Sequence, residues 1–313
     1  MTPEASRALA PYDALPADLL AELADAGLDP RRVYAAILDA LAEDLPPDGS
    51  GVDVTSEATL PATNGTADFG ARDVGVVAGL GVAALVFHTV LGDDVTVSER
   101  LADGSRVAKG DVVLRVRGPV KGLLVAERTA LNFACHLSGI ATATAAWVDA
   151  LEGTRARVLD TRKTLPGYRA LQKYAVRCGG GVNHRFSLSD MALVKDNHVV
   201  AAGGVVPAFE AVRTRFPDVP VEVEIDKLED LEPLLDAGCE RVLLDNMSNE
   251  TMAEAVAIND ARGERRALLE ASGGLTFERA RSVAETGVDF ISVGALTHSV
   301  KVFDLGMDLQ ETP

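Results

Sequence analysis

From residue 155 onward the chain repeats one pattern: a short apolar run, a polar or glycine-rich step, then an amphipathic segment. The runs are Ala156 to Asp160, Met191 to Lys195, Val221 to Ile225, Arg241 to Asp245, Ala267 to Glu270 and Asp289 to Val293. The segments between them read as helices at about Tyr168 to Cys178, Val205 to Phe216, Leu228 to Ala237, Glu250 to Arg262 and Thr276 to Thr286. Thr276 is read as an N-cap, and Pro233 as shortening or kinking its segment. Six strands alternating with helices predict a parallel β/α architecture, because parallel neighbours need a crossover long enough to hold a helix. Right-handed crossovers permit either a barrel or an open sheet. Charge at the carboxyl end of successive runs favours the barrel: Asp160 with Arg162 and Lys163, then Lys195, Glu224 and Asp245. Barrels collect their active-site groups there.

The first half has another texture. Residues 1 to about 50 alternate Ala/Leu-rich stretches with turn signals at Pro16, Asp29-Pro30 and Pro46-Pro47-Asp48-Gly49, and read as short helices and then a loop. β-branched runs at Val74 to Ala78, Asp94 to Val97, Val112 to Val116 and Val120 to Val125, punctuated by Gly104, Gly110, Gly118 and Gly122, predict a small α/β domain with a hairpin half. Ala126 to Leu151 reads as one or two helices, with Gly139 a candidate divider. A chain of 313 residues with 47% apolar side chains has material for about two domains. The net charge of -17 disfavours nucleic acid and anionic membrane surfaces as partners. No uncharged apolar run reaches the roughly 20 residues that cross a bilayer, and the N-terminus lacks a basic segment followed by an apolar core. Cys135, Cys178 and Cys239 have no CxxC spacing, which argues against a disulfide framework or zinc ribbon and fits a reducing, cytoplasmic compartment. The histidines other than His184 (His88, His136, His198, His298) show no HxxxH spacing, so no histidine metal site is predicted.

Within this acidic chain, residues 155 to 195 carry nine Lys/Arg against two acids, a local excess of seven positive charges. A compact basic zone in an acidic protein focuses anions. Arg169, Lys173 and Arg177, spaced at four residues, read as one solvated helix face, whereas Arg162, Lys163, Arg185 and Lys195 read as ligand-facing. His184, beside Arg185, joins them. Ser272-Gly273-Gly274 and Val293-Gly294-Ala295 follow the last two strands, where a backbone without Cβ can approach a phosphate. Glu224 and Asp245 close otherwise apolar runs and need a partner, for which Lys195, Mg2+ or ligand hydroxyls are candidates. Asp160 and Asp226 are expected only to order basic neighbours, while Gly179-Gly180-Gly181 ends its helix.

These residues also carry a resemblance. Glu127 to Asn132 (ERTALN), Leu137 to Thr142 (LSGIAT), Asp160 to Gly167 (DTRKTLPG), Asn183-His184-Arg185, Leu193 to His198 (LVKDNH), Val221 to Glu224 (VEVE), Leu244 to Met247 (LDNM), Ala271 to Gly274 (ASGG) and Ser292 to His298 (SVGALTH) are similar to the quinolinate phosphoribosyltransferases over roughly residues 40 to 310. The resemblance implies an N-terminal α/β sandwich domain, placed at 1–128, and a C-terminal incomplete parallel α/β barrel at 129–300, with 301–313 packing back on the first domain. It implies a homodimer with active sites at the subunit interface. The implied reaction joins quinolinate to 5-phosphoribosyl 1-diphosphate with Mg2+, releasing diphosphate and carbon dioxide and giving nicotinate mononucleotide for NAD synthesis. By position, Thr161, Arg162, Lys163, His184, Arg185 and Lys195 would hold quinolinate and the diphosphate, with Arg128 reaching the partner's site. Glu224 and Asp245 would meet ribose hydroxyls or Mg2+ and offset charge developing on the ribose. Lys163, Lys195, Glu224 and Asp245 are the residues expected to serve the chemistry. Ser272, Gly273, Gly274, Val293, Gly294 and Ala295 would cradle the 5-phosphate. Two departures from the family pattern stand out: Gly274 where Asn is frequent, and Lys227 where an uncharged residue is common.

Two competing readings are weaker. One is a related phosphoribosyltransferase acting on nicotinate or another acid without decarboxylation. The other is a carrier module, since Asp103 to Gly118 is similar to biotinyl and lipoyl hairpins, but neither Lys109 nor Lys121 is flanked by the Met such carriers use.

Overall fold

The computed structural model describes residues 9–46 and 51–310. The turn at Pro47-Asp48-Gly49 and the last three residues of the 301–313 segment lie outside them. Two compact units emerge, one from residues 1–143, 170–179 and 300–313, the other from 144–169 and 180–299.

The first unit is built on a four-stranded antiparallel sheet, in the order Leu305–Leu309, Asn64–Ala71, Val112–Pro119, Thr96–Ser98. Alternation along Asn64–Ala71 buries Ala67, Phe69 and Ala71 on one face. Phe69 meets Phe87 of the helix Leu80–Leu91 edge to face, with ring centroids 5.7 Å apart. That helix is buried on nearly every side, because the helices Ala17–Asp25 and Pro30–Asp44 pack against it as well as the sheet. A helix apolar all round is what a middle layer requires. Asp29 caps the helix that begins at Pro30, accepting from the amide of Arg31 at 3.0 Å. Removing the fully buried Phe69 ring in Phe69→Ala is expected to cost about 3–5 kcal/mol, read from the denaturant midpoint.

Four expectations for this unit need correction. Val120 to Val125 is not a strand: it opens the 31-residue helix Val120–Ala150. β-branched residues are tolerated there because Leu123 and Ala126 bury one face of the turn, so packing overrides propensity. Gly139 does not divide the helix; a Cβ there would run into the carbonyl of Lys301, so glycine admits a close backbone approach. The helix passes through the expected boundary at 128 and carries the division between units at 143/144. Nor is there a hairpin around Lys109: Arg106–Val107 pairs with Gly75–Val76, and Val112–Pro119 belongs to the other sheet. Lys121 is tied to Glu57 at 2.7 Å.

The second unit is a six-stranded parallel sheet in the order Arg157–Leu159, Phe290–Ser292, Leu268–Ser272, Arg241–Asp245, Val221–Ile225, Ala192–Val194. Every strand lies within two residues of its run in the sequence. The sheet is a barrel left open between its first and last members, with a single bridge from Leu159 to Val182 on the Arg157–Leu159 side. A short helix, Asp196–Ala202, directly follows the strand that ends at Val194 and was not legible in the sequence.

Candidate active site

All six strands run parallel, so their carboxyl ends share one rim, and a cavity of about 620 Å³ opens there within the second unit. Asp160, fully buried after the first strand, accepts the backbone amide of His184 at 2.8 Å and the side-chain amide of Asn183 at 2.6 Å. The basic loop is thus hung from the strand end. His184 Nδ1 accepts the amide of Arg185 at 2.7 Å, so the proton sits on Nε2, which donates to Glu222 Oε2 at 2.8 Å. Arg185 reaches the carbonyl of Met191 at 3.0 Å. Burial pushes its guanidinium down, with the Arg162 charge adding to the effect. Asp190 knots the loop at Phe186 and Ser187: burial opposes its charge, but hydrogen bonds from Ser187 and Phe186 win and bring the carboxyl to about 2.

Arg169 was expected on a solvated face; instead it bonds Thr164 Oγ1, the carbonyl of Arg162 and the carbonyl of Phe186. It braces the two basic loops against each other, a use of its planar fork that spacing alone does not reveal. Lys173 also departs from that face. It is fully buried in the first unit, because the strong amphipathicity of Arg169–Cys178 turns Leu171, Lys173, Ala175 and Val176 inward. Arg177 is exposed.

Lys195 pairs with Glu224 across adjacent strands at 2.7 Å. The Lys-Asp-Asn-His run has a local purpose: His198 Nδ1 accepts the amide of Lys195 at 2.9 Å and its own amide returns to the carbonyl of Lys195, fixing that backbone at the helix start. Asp245 accepts from Asn246 Nδ2 at 2.7 Å, and the amide of Asn246 donates to the carbonyl of Ser272 at 3.0 Å. Gly273 has φ +87, and a Cβ on it would stand 2.8 Å from the nitrogen of Asn246. A Cβ on Gly294 would meet Lys163 Cδ at 3.0 Å, while Thr297 Oγ1 donates to the carbonyl of Lys163 at 2.8 Å. The two glycine turns therefore sit hard against the residues they are meant to serve.

The cavity gathers Thr161, Arg162, Lys163, His184, Arg185, Lys195, Glu224 and Asp245 with Ser272, Gly273, Gly274, Val293, Gly294 and Ala295. Arg128 is not among its lining residues; it is exposed on Val120–Ala150 in the first unit. Asp226 and Lys227 are exposed, and both border a smaller cavity of about 320 Å³ that shares Glu224 and Asp245 with this one. Sequence reasoning missed Glu270, Ser292 and His298 as lining residues. It also missed Glu222, although Glu222 and Glu224 alternate on one strand face and that period was readable. Glu222 and Glu270 are both buried below the rim. Burial, reinforced by the charge of Glu222, raises the Glu270 carboxyl well above the usual carboxylate range. For Glu222 burial acts the same way, but the bond from His184 and the charge of Arg241 outweigh it and hold the group ionised. His184, Glu222 and Glu270 bring ligand-type atoms within 4.8 Å of one another, yet the cation beside them is Arg241, whose Nη2 lies 3.4 Å from Glu222 and 3.8 Å from Glu270. Burial pushes the thiols of Cys178 and Cys239 up to about 12 and about 11, which makes them packing groups.

Comparison with known proteins decides the family. The model of the quinolinate phosphoribosyl transferase C-terminal domain matches residues 140–308 and that of the N-terminal domain residues 53–138. The chain belongs to the quinolinate phosphoribosyl transferase family. Relatives within that family include the nicotinate-nucleotide pyrophosphorylase [carboxylating] of Mycobacterium leprae, 53% identical over 86% of this chain and 94% of that protein. The probable enzyme of the same name from Bacillus subtilis is 38% identical over 83% of this chain and 89% of that protein. Among solved structures, the nicotinate-nucleotide pyrophosphorylase of Francisella tularensis superposes with a TM-score of 0.84 at 37% identity, covering 90% of this chain and 96% of that one. The two matched ranges adjoin within the helix Val120–Ala150. No helix among the described residues is long and apolar enough to cross a membrane.

Proposed function

We propose that this member of the quinolinate phosphoribosyl transferase family joins quinolinate to 5-phosphoribosyl 1-diphosphate in the cavity described above, giving nicotinate mononucleotide, carbon dioxide and diphosphate. The observation that carries this reading is the convergence of four cations, Arg162, Lys163, Arg185 and Lys195, with two carboxylates and two glycine turns on one rim. The ligands demand that set: two ring carboxylates, a diphosphate and a 5-phosphate need planar guanidinium forks and point-charge ammonium groups together.

Arg162, Arg185 and His184 hold the pyridine dicarboxylate, and Lys163 and Lys195 share the diphosphate with Thr161. Ser272, Gly273, Gly274, Val293, Gly294 and Ala295 cradle the 5-phosphate. As the bond from the ribose carbon to diphosphate breaks, the ring nitrogen supplies the electron pair for the new bond. Glu224 and Asp245 lie where they offset the positive charge that builds on the ribose. The pyridinium nitrogen then accepts the electrons released as the adjacent carboxylate leaves as carbon dioxide, and the ring carbon takes up a proton. Glu224 and Asp245 offer the hard carboxylate oxygens that Mg2+ takes, so the donor set fits that ion. Bound there, Mg2+ would neutralise charge on the departing diphosphate.

The working unit is a homodimer in which Arg128, exposed and away from its own chain's cavity lining, completes the acid pocket of the partner. The cytoplasm is its compartment, where three free cysteines stay reduced. Purified protein with 5-phosphoribosyl 1-diphosphate and Mg2+ is expected to form nicotinate mononucleotide and carbon dioxide in equal amounts from quinolinate. The same assay run on nicotinate should give no product. Turnover of nicotinate alone would overturn the assignment of the acid pocket.

A further inference from the structure

From the cavity wall inward the barrel interior is polar at one place, where His184 and Glu270 of the lining meet the buried Glu222 and Arg241. Descending from the rim, His184 donates to Glu222, Glu222 lies beside Glu270, and Arg241 faces both carboxyl groups, with its guanidinium 5.1 Å from the Phe290 ring centroid. Glu222 is fully buried and does not itself line the cavity; it reaches the lining through His184. A buried carboxylate costs several kcal/mol unless it is paired, so an apolar residue would serve stability at least as well here. Its position has a different consequence.

We propose that Glu222 is a positioning residue for the acid pocket, acting through His184. By taking the Nε2 proton of His184, Glu222 leaves Nδ1 as an acceptor. That nitrogen is occupied by the backbone amide of Arg185 at 2.7 Å, and Arg185 is one of the two arginines on the rim assigned to the pyridine dicarboxylate. The chain of bonds runs Arg241, Glu222, His184, Arg185, and it ends on the acid side of the cavity. Asp160 accepts the backbone amide of His184, so the residue is held by its main chain as well as by its ring. Glu270 Oε2 makes no hydrogen bond and lies 3.5 Å from His184 Nε2 and 3.8 Å from Arg241, farther than Glu222 from either, so Glu222 is the nearer carboxylate to both.

This inference rests on the acid-pocket reading given above, and the test separates the two. Glu222→Ala is expected to raise KM for quinolinate about tenfold or more, the loss of one buried charge-assisted hydrogen bond, while KM for 5-phosphoribosyl 1-diphosphate stays within about twofold. Glu222→Gln, which keeps an acceptor for the Nε2 proton, should recover most of the quinolinate KM. Equal changes in both constants, or no change in either, overturn the proposal. Because Glu222→Ala removes a partner of Arg241 and can lose stability, 15N NMR of the imidazoles in the ligand-free wild-type protein provides a second readout. His184 should show a protonated Nε2 and a bare Nδ1. A proton on Nδ1 overturns the proposal whether or not the protein turns over quinolinate, whereas failure of the wild-type assay alone would count against the reaction.

Discussion

Gly273→Ala is expected to lower kcat/KM for 5-phosphoribosyl 1-diphosphate by about a hundredfold or more, the order reached when a reacting group is misplaced by about 1 Å. Two physical effects act together at that residue. Its φ of +87 lies in the region where a side chain costs about 1–2 kcal/mol. The new Cβ would also stand 2.8 Å from the backbone nitrogen of Asn246, which cannot swing aside as a side chain can. Relief requires the turn after Leu268–Ser272 to separate from the turn after Arg241–Asp245, and the bond from the amide of Asn246 to the carbonyl of Ser272 holds those turns together. The 5-phosphate cradle and the carboxylate of Asp245 would then shift as one. Gly263→Ala is the matched control, since Gly263 has φ +61 but open space around it. It should lose a little melting temperature and keep its kinetics. Wild-type kinetics in Gly273→Ala would remove the phosphate role from this turn.

Lys195→Ala should leave about a thousandth of the wild-type activity or less, because it removes an ammonium from the centre of the rim and leaves Glu224 without its 2.7 Å partner. Arg128→Ala should be similarly inactive, although its residue lies in the other unit. Mixed and allowed to exchange subunits, the two inactive proteins should regain about a quarter of wild-type activity: half of the dimers are mixed, and each mixed dimer holds one intact site of two. Subunit exchange is followed separately with a tagged chain. Confirmed exchange with no recovered activity would discard the arrangement in which Arg128 serves the partner.

The barrel half was almost fully readable because both signals there are local: a buried parallel strand is a continuous apolar run, and its active end is marked by a charge that has no business in a core. Arg241–Asp245 and Val221–Ile225 were placed to the residue. The first half was less readable because its decisive interactions are distant in sequence. Asn64–Ala71 carries two glycines and an aspartate and does not look like a strand; its place is set by Leu305–Leu309 on one side and Val112–Pro119 on the other. Val120 to Val125 has strand composition and is helical, since tertiary burial outweighs a propensity difference of well under 1 kcal/mol per residue. In the site, charges were legible but their partners were not. Arg169 and Lys173 occupy the same helix at the same spacing, yet one braces the basic loops and the other is buried. Only the packing of Arg169–Cys178 distinguishes them.

The strand Leu305–Leu309 forms one edge of a sheet whose neighbouring strand, Asn64–Ala71, is made more than two hundred residues earlier. During synthesis that neighbour emerges from the ribosome with an open edge of backbone donors and acceptors, and it waits while the whole barrel is translated. Closing so long a loop adds little entropic cost per extra residue but delays the contact until Leu305–Leu309 has been made. The sheet is therefore completed only after every barrel strand has been made, so the assembly clock of the first unit is set by Leu305–Leu309.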